Sequence, residues 1–91
     1  MADQATIATD ILARYAGDAA REVPGVRALA GRRGVRISGK GAVRIELHVV
    51  AESGASIPKL GRAVQTRVRE YLASMADVEP ASVDVVVDAI E

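Results

Sequence analysis

SIPKLGRAVQTRVREYLASM, residues 56–75, predicts the amphipathic helix around which the rest of the chain is arranged. Ser56 can cap the first backbone N–H groups with its hydroxyl, and Pro58 falls in the first turn, where a missing N–H is harmless. The apolar residues recur at steps of three or four, which is the spacing of one stripe on an α-helix. This predicted stripe consists of Ile57, Leu60, Val64, Val68, Tyr71 and Met75.

The segments on either side of this helix alternate apolar and polar residues, which indicates half-buried strands. Residues 35–38 and 42–50 are separated by a glycine-containing turn at 38–41, so together they predict a β-hairpin. Residues 82–90 predict a third strand after the helix. The side chains expected on the outward, polar face of these strands are Arg36, Arg44, Glu46, His48, Asp84 and Asp88, with Val50 and Val86 among them.

A first helix is predicted at residues 6–22, capped by Thr6 or Asp3 and ended by Pro24. Its apolar stripe steps by four residues and comprises Ile7, Ile11, Tyr15 and Ala19. We interpret the segment 27–34, which follows this helix, as a basic connection to the hairpin.

The predicted order α-β-β-α-β favours an α+β domain in which two helices pack on one face of a three-stranded sheet. The second strand, the helix and the third strand form a crossover, so these two strands should run parallel. The third strand can lie beside the first, which gives the order 2-1-3, or beside the second; we favour 2-1-3. A chain of 91 residues is expected to form a single domain, spanning 1–91.

Composition excludes several classes of protein. The absence of Cys excludes disulfides and thiolate chemistry, and it fits a reducing cytoplasm. Residues 1–15 have neither a basic region nor a long apolar run, so they do not form a signal peptide. No apolar stretch approaches the roughly 18 residues that span a bilayer, and neither helix carries Trp or Phe, so direct membrane insertion is not expected.

Charge is distributed unevenly, although the formal net charge is zero. Residues 23–72 carry ten basic and three acidic side chains, a net of +7, whereas the two ends together carry two basic and nine acidic ones, a net of −7. The segments can neutralise one another in the fold, which we favour, or the middle segment can present a basic face to an anionic partner.

Residues suited to catalysis are scarce. His48 is the single histidine, and it lies on the polar side of an alternating strand, where an exposed or ion-paired role is expected. No serine stands in a nucleophile motif, and one His without Cys makes a transition-metal site unfavourable, whereas the carboxylates leave a site for a hard cation open. We therefore expect no enzymatic activity, no cofactor and no bound metal.

Nucleic-acid binding is the alternative function that the basic segment 27–44 suggests. Residues 31–34, GRRG, match the G-x-x-G loop with which KH domains clamp a nucleic-acid backbone. In those domains the loop joins two helices, whereas here it leads to a strand, and the sheet lacks aromatic residues that stack on bases. Nucleic acid is therefore the less favoured partner, and its candidate contacts are Arg32, Arg33, Arg36, Lys40 and Arg44.

Four segments together carry a resemblance to a known family. Residues 19–26, AAREVPGV, are similar to the pattern A-x-x-E-V-x-G-V, and residues 54–58, GASIP, are similar to G-V-S-I-P. The strand segments 34–37, GVRI, and 83–87, VDVVV, follow the same family in order and spacing. With them the chain resembles the alkaline shock proteins, also called envelope-stress-response proteins, of Gram-positive bacteria.

This resemblance implies a small, non-enzymatic cytoplasmic protein linked to cell-envelope stress or homeostasis. Self-assembly is common in the family, and some members gather at the membrane through a membrane-anchored partner with a related domain. The resemblance therefore implies a homo-oligomer, a membrane-anchored protein partner of the same family and a peripheral position at the membrane. It carries over no catalytic residues.

Self-association is also favoured by the residues themselves. The core is small and almost free of aromatic side chains, so burial between copies would stabilise it. A three-stranded sheet leaves two edges that can pair with another chain. We expect the interaction surface to be drawn from Arg32, Arg33, Arg36, Arg44, His48, Asp84 and Asp88.

Overall fold

The computed structural model describes residues 2–31, 34–39 and 41–91, with side chains from residue 9 onward. Its elements are α1 (Ala2–Arg21), β1 (Val26–Leu29), β2 (Val35–Ser38), β3 (Arg44–Ala51), α2 (Ile57–Ala76) and β4 (Ser82–Ile90). Both helices pack on the same face of one sheet, where they share a single apolar core with β3. This arrangement confirms the predicted α+β class.

Strand β3 is the centre of the sheet. β4 runs parallel to β3 and pairs with it over its full length, from Arg44 opposite Ser82 to Ala51 opposite Ile90. β1 and β2 run antiparallel to β3 and pair with its last and first residues, respectively. Because β4 fills one side of β3, the segments β1 and β2 follow one another along the other side. The sheet therefore has four strand segments but is three strands wide, and the crossover strands are parallel as predicted.

The favoured strand order 2-1-3 is wrong, because residues 82–90 lie beside residues 44–51 and not beside residues 35–38. Strand length explains this arrangement. β4 has nine residues and β3 has eight, whereas β2 has only four. A long strand satisfies more of its backbone hydrogen-bonding groups beside a long neighbour.

The segment 27–34 is not a plain connection, because its first residues belong to β1. Val26 and Leu29 both face the helices, although they are three residues apart, and they pair with Ala51 and Val49. A bulge at Arg27 shifts the register between them and breaks the alternation of a regular strand. A spacing of three is typical of a helix, so the period-of-two pattern could not reveal β1.

Helix α1 begins at Ala2, earlier than predicted, so Asp3 and Thr6 lie inside the helix and neither is its N-cap residue. Residues 2–6 contain no Gly or Pro that would delay its start. Gly17 lets α1 approach the sheet closely, because a Cβ at this position would lie 3.1 Å from Leu29 Cδ1. No helix in the described part of the chain is long and apolar enough to cross a membrane.

Helix α2 begins where predicted, but its first turn is held differently. Ser56 is the N-cap residue and its carbonyl accepts the Leu60 N–H at 2.8 Å, whereas its hydroxyl makes no capping hydrogen bond. At the other end, Asp77 adopts a left-handed conformation with φ 55°, and its N–H donates to the Ala73 carbonyl at 3.2 Å. This geometry ends the helix and turns the chain toward β4.

The apolar stripe of α2 covers the inner face of β3. The buried row on α2 consists of Leu60, Val64, Val68 and Leu72, and the residues of β3 beneath it are Ile45, Leu47, Val49 and Ala51. Tyr15 and Tyr71 join the two helices by an edge-to-face contact, with ring centroids 5.8 Å apart. Met75 lies on the predicted stripe but is 50% exposed, whereas Leu72 is fully buried and Ala76 packs against the core at this end of α2.

Candidate interaction surface

The outer face of the sheet, which is the face opposite the two helices, carries the charged residues of β2, β3 and β4. Paired positions form rows across the strands, and two of these rows are polar. They are Arg36–Glu46–Asp84 and Ser38–Arg44–Ser82. Strand pleating places these side chains here because their sequence neighbours fill the core on the inner face.

His48 lies between two carboxylates on this outer face. Its Nε2 atom is 2.6 Å from Glu46 Oε2, and its Nδ1 atom is 2.9 Å from Asp88 Oδ1. Carboxylates only accept hydrogen bonds, so both ring nitrogens donate when the imidazole is protonated. The hydrogen bond to Glu46, followed by the one to Asp88, raises the pKa of His48 above its ordinary value. We call these three side chains the histidine clamp; it ties β3 to β4.

Asp88 of the clamp lies at a bulge in β4. Val87 pairs with Val49, and Ala89 pairs with Val50, so Asp88 is an extra residue between two consecutive pairs. An extra residue of this kind bends its strand. Asp88, the outward residue two positions after Val86, contacts His48 of the adjacent β3 just before this bulge.

Three charged residues of the outer face are left without an ion pair to any described residue: Arg36, Arg44 and Asp84. They line a polar cleft of about 360 Å³, together with the hydroxyl-bearing Ser38 and Ser82. Arginine offers five N–H donors, and a carboxylate offers acceptors, so the cleft presents both kinds of group to a partner. The charged groups of the clamp are paired with one another, whereas the two arginines and Asp84 in the cleft have no ion-pair partner among the described residues.

Apolar side chains lie beside these charges. Val86 pairs with His48 across the strands and is 40% exposed, and Val50 is half-buried on the same face. Both positions agree with the outward orientation that the alternation predicts. Apolar groups within a polar surface are a common feature of protein contacts.

The structure brings most of the predicted surface together. Arg36, Arg44, His48, Asp84 and Asp88 all lie on the outer face. The remaining predicted members, Arg32 and Arg33, lie outside the described residues, as does Lys40 of the nucleic-acid alternative. The predicted set omits one side chain of the outer face, Glu46, which makes the shorter contact to His48. Its spacing of two residues from His48 on an alternating strand is the signal that places both on one face.

A second polar contact has a structural role away from this surface. Arg67 of α2 donates to Glu22 through Nε at 3.1 Å and through Nη2 at 2.5 Å. Its guanidinium carbon also lies 5.5 Å from the centre of the Tyr71 ring. These contacts fasten the end of α1 to α2 and leave Arg67 unavailable to a partner.

Among the described residues, no group of three or more His, Asp or Glu side chains is arranged to hold a metal ion. In the histidine clamp, both ring nitrogens face carboxylate oxygens at hydrogen-bond distance. A metal ligand needs a free nitrogen lone pair, so the clamp geometry is that of an ion pair.

The sequence matches the model of a known protein family. The model of the alkaline shock protein 23 family, which is described as having a cell envelope-related function, matches residues 30–91. This range contains β2, β3, α2 and β4, so it includes the polar rows and the histidine clamp. None of the curated proteins matches the chain.

The fold is similar to solved structures titled MamM CTD. A manganese form superposes with a TM-score of 0.60 at 17% identity, covering 88% of this chain and 96% of the other. A zinc form superposes with a TM-score of 0.62 at 17% identity, covering 90% of this chain and 86% of the other. At this level of identity the similarity concerns the fold alone.

Proposed function

The chain belongs to the alkaline shock protein 23 family, whose function is related to the cell envelope, and from this premise we propose that it is a non-enzymatic interaction module. It associates with copies of itself and binds a protein partner near the membrane. It works in the cytoplasm and reaches the membrane through a membrane-anchored protein of the same family. The family match confirms the resemblance found in the sequence, and the mode of action is our proposal.

The observation that carries this proposal is the unpaired charge on the outer face. Arg36, Arg44 and Asp84 do not contribute to the core, and they have no ion-pair partner among the described residues. The exposed Val86 lies nearby and would lose contact with water in an interface. A surface that combines charges of both signs with apolar groups suits a protein partner, because the charges select the partner and the apolar groups add affinity.

The state of the single histidine supports a non-enzymatic role. A general base needs a ring nitrogen that can reach the proton of a substrate. Both nitrogens of His48 are occupied by Glu46 and Asp88, and the raised pKa favours the charged imidazole, which has no lone pair to accept a proton. Replacement of His48 by alanine is consequently expected to leave the association intact.

Nucleic acid is the competing partner, because Arg36 and Arg44 are exposed and unpaired. Glu46 and Asp84 share the row of Arg36, however, and would repel a phosphate backbone. Labelled RNA and DNA pools at low and moderate salt distinguish the two functions. Retention of either pool at moderate salt would contradict the protein-interaction proposal.

Sedimentation velocity over a concentration series tests self-association. We expect oligomers at low salt that dissociate near 1 M salt, where the screening length falls to roughly 3 Å. The variant Arg44→Glu should weaken the oligomer, and the matched variant Arg62→Glu, an exposed site on α2, should not. A protein that remains monomeric at high concentration and low salt would contradict self-association. Oligomers that ignore both salt and Arg44→Glu would retain self-association but reject the charged surface.

Binding of a membrane partner needs a separate experiment. The wild-type protein and a variant with Arg36→Glu and Arg44→Glu are used to capture proteins from detergent-solubilised membranes of the native cells. We expect the wild type, and not the variant, to retain a membrane-anchored protein with a related domain. Equal capture by both would contradict a role of the outer face in partner binding.

A further inference from the structure

The two edges of the sheet carry opposite charges. The charged side chain of β2 is Arg36, and β2 contains no acidic residue. The charged side chains of β4 are Asp84 and Asp88, and β4 contains no basic residue. Each edge strand is paired on one side only, since both neighbour β3. An unpaired edge presents backbone N–H and C=O groups to another strand.

Each edge disfavours a second copy of itself. Two β4 edges related by a two-fold axis would bring Asp84 and Asp88 of one copy against the same carboxylates of the other. Two β2 edges would bring Arg36 against its counterpart in the second copy. Like charges on adjacent strands are destabilising, and opposite charges are stabilising. Charge therefore opposes both symmetric pairings and favours the pairing of a β2 edge with a β4 edge.

The directions of the strands allow this mixed pairing. Within one copy β2 is antiparallel to β3, and β4 is parallel to β3, so β2 and β4 point in opposite directions. When two copies lie side by side in the same orientation, β2 of one is antiparallel to β4 of the other. Antiparallel pairs form a regular hydrogen-bonded ladder, and neighbouring strands lie about 4.8 Å apart. Arg36 and Asp84 would then lie on the same face of one continuous sheet.

On the inner face of the sheet, the helices cover the two edge strands less completely than they cover β3. The apolar residues that point toward the helices at the two edges are half-buried, whereas those of β3 are fully buried. The half-buried residues are Val35 and Ile37 on β2 and Val85 and Val87 on β4. Joining the edges would place these side chains next to one another and remove more of their surface from water.

On the basis of the self-association proposed above, we infer that copies of this chain join head to tail, with the β2 edge of one copy on the β4 edge of the next. Arg36 of one copy pairs with Asp84 of its neighbour, and Arg44 adds positive charge behind it. This contact uses two different surfaces, so one β2 edge and one β4 edge remain free at the ends of any linear assembly. Assembly size then increases with protein concentration, with no preferred dimer.

Two complementary charge reversals test this arrangement. Arg36→Glu makes the β2 edge acidic and Asp84→Arg makes the β4 edge basic, so the two edges within each variant carry charges of the same sign. Each variant alone should be monomeric at concentrations where the wild type forms a series of oligomers. An equimolar mixture should recover the series of oligomers, with the two variants alternating, because Arg36 of one variant meets Asp84 of the other and the two substituted side chains are again of opposite charge. Sedimentation velocity gives the masses, and circular dichroism verifies that each variant is folded.

The controls separate this inference from general charge effects. Arg62→Glu and Glu70→Arg make the same charge changes on exposed positions of α2, and both should assemble like the wild type. The milder pair Arg36→Gln and Asp84→Asn should give intermediate assembly if the reversals disturb folding. Dimers of Asp84→Arg or Arg36→Glu alone, or a mixture that stays monomeric while the wild type assembles, would overturn the head-to-tail contact but not self-association. A monomeric wild type would overturn both.

Discussion

The two faces of strand β3 are stabilised in different ways. On the inner face Ile45, Leu47 and Val49 are at most 1% exposed and lie beneath the helices. On the outer face Glu46 and His48 are partly exposed and are joined by an ion pair. Burial of apolar surface depends little on salt or pH, whereas exposed ion pairs depend on both. The inner face therefore determines the fold, and the outer face remains available for regulation and contact.

The largest expected effect comes from a charge placed under the helices. Val68 is fully buried on the side of α2 that covers the sheet. Val68→Asp would leave a carboxylate without a partner in an apolar core, and this penalty is several kcal/mol. Small domains have a free energy of unfolding of only about 5–15 kcal/mol, so we expect the variant to be unfolded. Far-UV circular dichroism and thermal melting provide the measurement.

The matched control for this change is Thr66→Asp, at an exposed position of the same helix. It introduces the same side chain without burying it, so the melting temperature should remain near that of the wild type. A native spectrum and a native melting temperature for Val68→Asp would show that the buried face of α2 is assigned wrongly.

Shortening one side chain on each face of β3 tests whether the two faces contribute differently to stability. Leu47→Ala removes apolar contacts at a fully buried position, and such changes decrease the free energy of unfolding by about 2–5 kcal/mol. Glu46→Ala changes the adjacent residue on the outer face, where exposed ion pairs contribute less. Urea unfolding of both variants measures the difference. Equal losses for the two variants would contradict a division of the strand into a structural and an accessible face.

The inner face was predictable from the sequence, because alternation and helical periodicity report which side chains are buried. Val64 and Val68 of α2 and Ile45 and Leu47 of β3 are buried as their spacing predicts. These patterns describe one element at a time, so they do not determine which strands are neighbours. The position of β4 beside β3 depends on matching strand lengths, and the sequence pattern alone led to the wrong order.

The outer face was predictable as a group of residues but not as a set of contacts. Alternation places Glu46 and His48 on the same side, and it also places Asp84 there. It does not reveal that Asp88 reaches His48, because that contact depends on β4 lying beside β3 in this register. The same limitation concealed β1, where the bulge at Arg27 interrupts the pattern. Bulges depend on pairing between distant segments, and a local pattern does not contain that information.

The smallest expected effect is the pH dependence of stability caused by the histidine clamp. Hydrogen bonds to Glu46 and then to Asp88 raise the pKa of His48 in the folded state above the value of 6.5 that applies to an unperturbed histidine. The folded state therefore binds the proton more tightly than the unfolded state does. The stabilisation is complete below about pH 6.5 and is lost as the pH rises through the folded-state pKa.

Urea unfolding between pH 5 and pH 9 measures this effect, with His48→Gln as the control. His48 is the single histidine of the chain, so the substitution removes the only side chain that ordinarily titrates near neutral pH. The wild type should be more stable than His48→Gln at acidic pH, and the two curves should converge as the pH rises. Taking the difference between the proteins cancels the contribution of the terminal amine. A difference in the free energy of unfolding between the wild type and His48→Gln that grows with pH would contradict this prediction. It would mean that the clamp favours the neutral imidazole, so that protonation of His48 destabilises the fold.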